Sequence, residues 1–398
     1  MPIIATSVFW ICGSLIVFTY AVYPIVIWYF SRWFAADVIF PDHPEGELPL
    51  VSLLIVAHNE EDVIEERIRN ALAIDYPSDR LEIVIALDGC TDGTSAIVQQ
   101  YQSHGVRLLE FPQNRGKSTA LNHAFESLNG EIVVLSDANT EMVPTAVHRL
   151  IPWFSDPKVG VVCGRLVLID PISARNVDSH YWKYETLIKR CEGRLGALLG
   201  ANGAIYAIRK DLFQPIPNKT LIDDFVIPLL AKLNSGCLII YEPTAVAREE
   251  TPADVRSEFR RRTRIGAGGF QSIGMLWRLL DPRRGWVALA FLSHKVLRWI
   301  CPFLMIGLFV SNLWLLEFPF YRLVLVSQLG FYLASGLAAF LPPSIKFLKP
   351  LRLATMFTSM NLALFVGFWR WLIGRQTGTW ARTSRVPSQG AMATDPSL

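Results

Sequence analysis

The chain has 398 residues, 51% of them hydrophobic, with 12 Trp, 23 Phe and a mean hydropathy of +0.31, which excludes an ordinary soluble enzyme. A net charge of +3 is too small to imply a nucleic-acid partner, and no basic stretch interleaved with aromatics suggests one. The six cysteines, at positions 12, 90, 163, 191, 237 and 301, include no CxxC pair and no histidine at ligand spacing. Neither a zinc site nor a disulfide framework follows, and a reduced, cytosolic setting fits.

At the N-terminus no Asp, Glu, Lys or Arg occurs before Arg32. The segment has no basic n-region and no small-residue cleavage site before Arg32, so residues 1–41 read as a retained membrane anchor, not a signal peptide. Residues 42–285 carry most of the charge and are numerous enough for a globular domain. Within them "VSLLIVA" (51–57), "LEIVIAL" (81–87), "VRLLEF" (106–111) and "EIVVLS" (131–136) are short runs of Val, Ile and Leu. Helical stretches at Glu61–Ala73, Thr94–Gln102 and Lys117–Leu128 lie between them. Apolar strands alternating with helices predict a parallel sheet covered on both faces.

Ligands of such sheets bind beyond the carboxyl ends of the strands. The first strand ends in Ala57-His58-Asn59-Glu60, the second in Asp88 and the fourth in Ser136-Asp137-Ala138-Asn139. Glu60, Asp88 and Asp137 would face one crevice, which is costly unless a cation or a donor-rich ligand sits there. Taken alone, Asp137 and Asn139 are also ordinary turn formers. Two nucleotide motifs are excluded: "RGKST" has Phe111 where a P-loop needs glycine, and no G-x-G-x-x-G follows the first strand. Lys117 opens a helix, where it would either meet phosphate or remain a solvated lysine.

Beyond the domain, "HKVLRW" (294–299) reads as an amphipathic helix lying at a membrane interface. Residues 299–316, 323–345 and 353–369 are uncharged and mostly apolar, each near the roughly 20 residues that cross a hydrocarbon core of about 30 Å. Residues 286–375 are therefore expected to hold the interfacial helix and about three transmembrane helices, and 376–398 to form a disordered tail. Basic residues at 32, 283, 284, 295 and 298 flank the first and second spans on the domain side. The positive-inside rule then predicts a multi-pass protein of the cell membrane with its central domain cytosolic. Arg375, Arg382 and Arg385 disagree with four spans, which leaves the side of the C-terminus open.

Seven segments in order, "VSLLIVAHNE", "ALDGCTDGT", "NRGKSTALNHA", "VVLSDANT", "GANGAIYAIRK", "LIDDFVIPLL" and "EFRRRTRIGAGG", resemble those of membrane-integrated family-2 glycosyltransferases. That group holds cellulose-, hyaluronan- and chitin-synthase-like enzymes. The resemblance covers about residues 50–270 and implies an α/β fold: a mixed, mainly parallel nucleotide-diphospho-sugar-binding sheet of the glycosyltransferase A type, plus transmembrane helices. It implies an inverting transfer from a nucleotide-sugar, a UDP-sugar, to a glycan acceptor at the membrane, in polysaccharide biosynthesis, with Mg²⁺ or Mn²⁺ as cofactor. A lipid acceptor, or a catalytically idle subunit of an export complex, are the alternatives, and export-complex partners are conceivable.

The same resemblance implies roles residue by residue. Ala57, His58, Glu60 and Asp88 would line the nucleoside, with Lys117 near the nucleotide. Asp137 and Asn139 stand at the D-x-D metal position, the second Asp being replaced here by Asn. Asp224 would be the catalytic base, with Asp223 supporting it or capping the helix. Gly200 and Asn202 would shape the acceptor side. Arg262 matches the arginine of Q-x-x-R-W, with Phe259 in place of Gln and Thr263 in place of Trp, so it would meet the diphosphate while the aromatic platform is missing.

Overall fold

The computed structural model describes residues 2–34, 48–169, 180–251, 255–338 and 349–376; the tail from residue 377 lies outside them. The chain forms two compact units. Among the described residues, one comprises 30–34, 48–169, 180–251, 255 and 275–290; the other comprises 2–29, 256–274, 291–338 and 349–376.

The first unit is built on eight strands: β1 (Val51–Ala57), β2 (Leu81–Asp88), β3 (Val106–Phe111), β4 (Ile132–Asp137), β5 (Glu141–Met142), β6 (Val159–Ile169), β7 (Tyr206–Arg209) and β8 (Leu238–Glu250). Their order is β3-β2-β1-β4-β7-β6-β8-β5. β1 runs parallel to β2 and β4, and β2 parallel to β3, as the four apolar runs predict. β7 lies antiparallel between β4 and β6, and β6 pairs parallel with β8, so the sheet is mixed and mainly parallel. Every residue of β1 is buried, because helices cover both faces of the sheet at its centre.

Register decides what the carboxyl edge displays. Ala57 pairs with Leu87, and Val56 with Asp137. Ala57, Asp88 and Asp137 therefore end within one residue of the same level. One face carries the main core, with Leu53, Ile55, Ile83, Ile85 and Val134 packed under Ile64, Ile68 and Ala71 of the helix Ile64–Leu72. On the other face Leu135, Tyr206 and Cys163 stand opposite one another across β4, β7 and β6. Asp137 is two residues beyond Leu135 and shares that face. Since β7 runs against β4, the loop entering β7 crosses the same edge.

Among the described residues, four helices are long and apolar enough to cross a membrane: Ile3–Trp33, Trp286–Leu313, Pro319–Ala338 and Leu351–Leu372. This fits membrane integration. The stretch read as an amphipathic interfacial helix, 294–299, lies within the second of these helices. Helical structure runs on from Trp286–Ala290 through a π-turn at Phe291–Val296 into Leu297–Leu313, with Ser293 and His294 buried. In the helical unit, residues 256–274 of the helix Val255–Leu276 pack against the helix Lys349–Leu372 through glycines. A Cβ on Gly367 would stand 2.7 Å from the Thr263 carbonyl oxygen, and one on Gly266 would stand 3.1 Å from the Leu364 Cα. Small residues let the two backbones approach this closely. Thr263 is fully buried there, so an indole ring at this position has no room.

Candidate active site

The loops after β1 and β2 are stitched together by side chains. His58 Nδ1 lies 2.6 Å from the Asp88 carbonyl oxygen, and the Asn114 amide nitrogen is 2.9 Å from Nε2. The Asn114 oxygen accepts from the Gly116 N–H at 3.2 Å, which orients the amide so that its NH₂ faces the imidazole. Because a carbonyl only accepts, His58 carries its proton on Nδ1 and accepts at Nε2. Asn59 sits in the left-handed region at φ 54°, and its side-chain oxygen accepts from the Thr91 N–H at 2.8 Å. Glu60 is buried, its N–H donates to the Thr94 hydroxyl, and its carbonyl receives the N–H groups of Val63 and Ile64. Ala57 is fully buried at the strand end.

Asp88 is 1% exposed, and both of its carboxylate oxygens accept backbone N–H groups, from Arg115 at 3.0 Å and Gly116 at 2.7 Å. In this structure the carboxylate thus shapes the loop that opens the helix Lys117–Ser127. Two glycines make that contact possible. Gly89 has φ +63°, and a Cβ there would stand 2.1 Å from the Asn114 nitrogen; Gly116 has φ 90°, a conformation few L-residues adopt.

The helix then places Lys117 among carboxylates. Its Nζ donates to Asp137 Oδ1 at 2.5 Å and stands 3.3 Å from Asp223 Oδ2. Burial opposes the lysine charge, but Asp137, Asp223 and Asp224 outweigh it and raise the amine above its ordinary value. Asp223 and Asp224 are the first two residues of the helix Asp223–Ser235, where exposed N–H groups favour negative charge. Asp224 is fastened to the loop entering β7. Its Oδ2 accepts from the Gly203 N–H at 3.0 Å, and its carbonyl accepts from the Ala201 N–H at 3.0 Å. Gly203 also touches the other acid, since a Cβ there would stand 2.7 Å from Asp137 Oδ2. One loop thus sets Asp137 and Asp224 on either side of a single glycine.

Gly200 and Asn202 are structural members of the same loop. Gly200 has φ +79° and packs on Phe225. The Asn202 amide donates to the Gly164 carbonyl at 2.9 Å, and its oxygen accepts from the Ile205 N–H, which ties the loop to β6. Arg262 lies in the helical unit, where its Nε is 2.6 Å from Glu258.

Among the described residues no cluster of three or more His, Cys, Asp or Glu has the geometry of an all-protein metal cage. Asp137 with the half-buried Asn139 two residues on is a sparse, all-oxygen donor set. It fits a hard divalent cation that takes its remaining ligands from phosphate and water. Two residues near this set were given no role by the sequence motifs. Tyr206 is 1% exposed, its hydroxyl has no hydrogen-bond partner among the described residues, and burial together with Asp223, Asp224 and Asp137 raises its pKa well above the usual value. Arg67 is 2% exposed. Its signal was present: it occupies one place in the helical stripe Ile64, Arg67, Ile68, Ala71, where an apolar residue belongs.

The chain is 30% identical over 236 residues to the probable glycosyltransferase YdaM of Bacillus subtilis, covering 56% of each protein. It is 26% identical over 279 residues to poly-beta-1,6-N-acetyl-D-glucosamine synthase of Staphylococcus aureus, covering 67% of this chain and 63% of that one. The matches thus span somewhat under two thirds of these relatives' length. In fold, the chain resembles a mannosyltransferase from Pyrobaculum calidifontis solved in complex with GDP-Man and Mn²⁺. That likeness has a TM-score of 0.69 at 21% identity and covers 92% of this chain and 99% of that one. The family model for glycosyl transferase family 2 matches residues 52–214, the segment from β1 through the loop and strand beside Asp137. Residues 52–214 are a family-2 glycosyltransferase domain.

Proposed function

We propose that this protein is an inverting, metal-dependent glycosyltransferase that moves a sugar from a nucleotide-diphospho-sugar, a UDP-sugar, to a glycan acceptor at the membrane, in polysaccharide biosynthesis. The observation that carries this reading is the convergence of Asp137, Lys117 and Asp224 at the carboxyl edge of the family-2 domain. The relative named as a poly-beta-1,6-N-acetyl-D-glucosamine synthase supports a glycan product, and the mannosyltransferase complex supports a nucleotide-sugar donor with a divalent metal.

In this reading the loops carrying Ala57, His58 and Glu60 form the nucleoside side, and Asp88 holds the loop that faces the diphosphate. Asp137 and Asn139 hold Mg²⁺ or Mn²⁺, which supplies charge to the departing diphosphate when bound. Asp224, oriented by the Gly203 N–H, takes the proton of the acceptor hydroxyl as its oxygen attacks the anomeric carbon. The new C–O bond forms as the bond to the diphosphate breaks on the opposite side, so configuration inverts and a nucleoside diphosphate leaves. Lys117 and Asp223 keep the two working carboxylates in place. Gly200 and Asn202 shape the acceptor edge. The catalytic domain faces the cytosol, where nucleotide-sugars are made, and the apolar helices anchor it in the bilayer. Incubating the purified protein with UDP- and GDP-sugars plus Mn²⁺ or Mg²⁺ tests the reading, with products followed by mass spectrometry. Release of nucleoside diphosphate with glycan growth is expected, and no turnover with any donor would overturn it.

A further inference from the structure

The turn that carries Asp137 is gripped from beneath by one helix. Arg67, on the helix Ile64–Leu72, donates from Nε to the Asp137 carbonyl oxygen at 3.4 Å and from Nη1 to Asn70 Oδ1 at 2.9 Å. Asn70 then closes a two-bond clamp on the far end of the turn. Its oxygen accepts from the Met142 N–H at 2.9 Å, and its NH₂ donates to the Met142 carbonyl at 2.8 Å. Asp137 and Met142, the ends of the segment that contains Asn139, are thus held by two side chains one helical turn apart.

The chemistry of Arg67 makes this more than packing. A guanidinium carries five N–H donors, and this one is 2% exposed with Nη2 lacking a hydrogen-bond partner among the described residues. Burial pushes its pKa down to about 10, offset in part by Asp137. A buried guanidinium is costly to desolvate, and with Nη2 unbonded it recovers less of that cost than a fully hydrogen-bonded one would. Fold stability therefore gives little reason for an arginine among Ile64, Ile68 and Ala71. The Asp137 turn does.

We propose that Arg67 and Asn70 are positioning residues that hold the Asp137–Met142 turn in the geometry needed to bind a divalent cation with the donor diphosphate. This rests on the metal role proposed above for Asp137. Groups that orient a metal's ligands from behind commonly change metal affinity 10- to 100-fold when removed. The full-length protein in detergent should be titrated with Mn²⁺ in the presence of UDP or GDP, following free Mn²⁺ by electron paramagnetic resonance. Arg67→Met should raise half-saturating Mn²⁺ about 10-fold or more and leave nucleotide binding in chelator unchanged. Asn70→Ala should act in the same direction and speed amide exchange at Met142. It leaves the guanidinium in place, so it carries the test if Arg67→Met fails to fold.

Wild-type binding of Mn²⁺ with a nucleotide, combined with unchanged half-saturation in both folded variants, would overturn the clamp alone. Wild-type protein that binds no Mn²⁺ with either nucleotide would overturn the metal-dependent reading and the clamp with it.

Discussion

Replacing Lys117 by methionine removes the amine that bridges Asp137 and Asp223 while nearly preserving side-chain length. At 2.5 and 3.3 Å, and an effective dielectric of about 20, each attraction is on the order of 5–7 kcal/mol. Most of that is offset by the cost of desolvating three charges. What the substitution leaves behind is a pair of partly buried carboxylates without their cation, and such losses cost about 3–5 kcal/mol in fully buried sites. The Asp223 side chain is 11% exposed and that of Asp137 is 29%, so the lower end, about 3 kcal/mol, is expected here. For a unit of this size that corresponds to a fall of about 6–12 °C in melting temperature.

The assay is thermal unfolding of the purified protein in chelator, followed by tryptophan fluorescence, with Lys117→Arg as the charge-preserving control. The folded amine is raised above its ordinary value of 10.5, so its contribution is fully present below that value and is lost only as pH climbs through the folded pKa. The gap between wild type and Lys117→Met should therefore stay constant from about pH 6 to about pH 9 and close only at stronger alkalinity. A variant melting within about 1 °C of wild type throughout would refute the claim that Lys117 balances these carboxylates.

Asp224→Asn keeps size and helix-capping ability but cannot accept a proton, so sugar transfer should fall roughly 100-fold or more while nucleotide affinity barely changes; equal losses of both would mark a structural residue. Asp223→Asn should be milder. Gly203→Ala would put a methyl group 2.7 Å from Asp137 Oδ2, and since that carboxylate can rotate, the protein should fold yet need more Mn²⁺ for half-saturation. Unchanged metal dependence would show that the glycine is not needed beside Asp137. Because Thr263 offers no aromatic platform and is buried against Gly367, we expect one or a few sugars added per encounter. With limiting acceptor and excess donor, long polymer beside unused acceptor at early times would disprove this.

The first four strands were legible because each is a local run of Val, Ile and Leu, and their parallel pairing follows from the helices between them. β6, β7 and β8 were not readable in this way. Their pairings join segments across long intervals and insert one antiparallel strand beside β4. The basic and apolar hexamer at 294–299 likewise does not show locally that its helix continues into Leu297–Leu313; the unbroken backbone ladder does.

By itself, the sequence determined where carboxylates collect. Apolar strands ending in Asp88 and Asp137, and an Asp-Asp pair opening a helix, follow from local pattern, since a strand's hydrophobic run and a helix's first turn are short-range properties. Tertiary structure alone decided what each group touches. The Asp88 carboxylate turned to the Arg115 and Gly116 amides, Lys117 was set between Asp137 and Asp223, and the loop at Gly203 separated Asp137 from Asp224. It also turned Arg67 from an anomaly in an apolar stripe into a support beneath Asp137. These contacts join residues from 20 to 106 positions apart. No local preference encodes them; they form only when sheet register and helix packing bring the strand ends to one level.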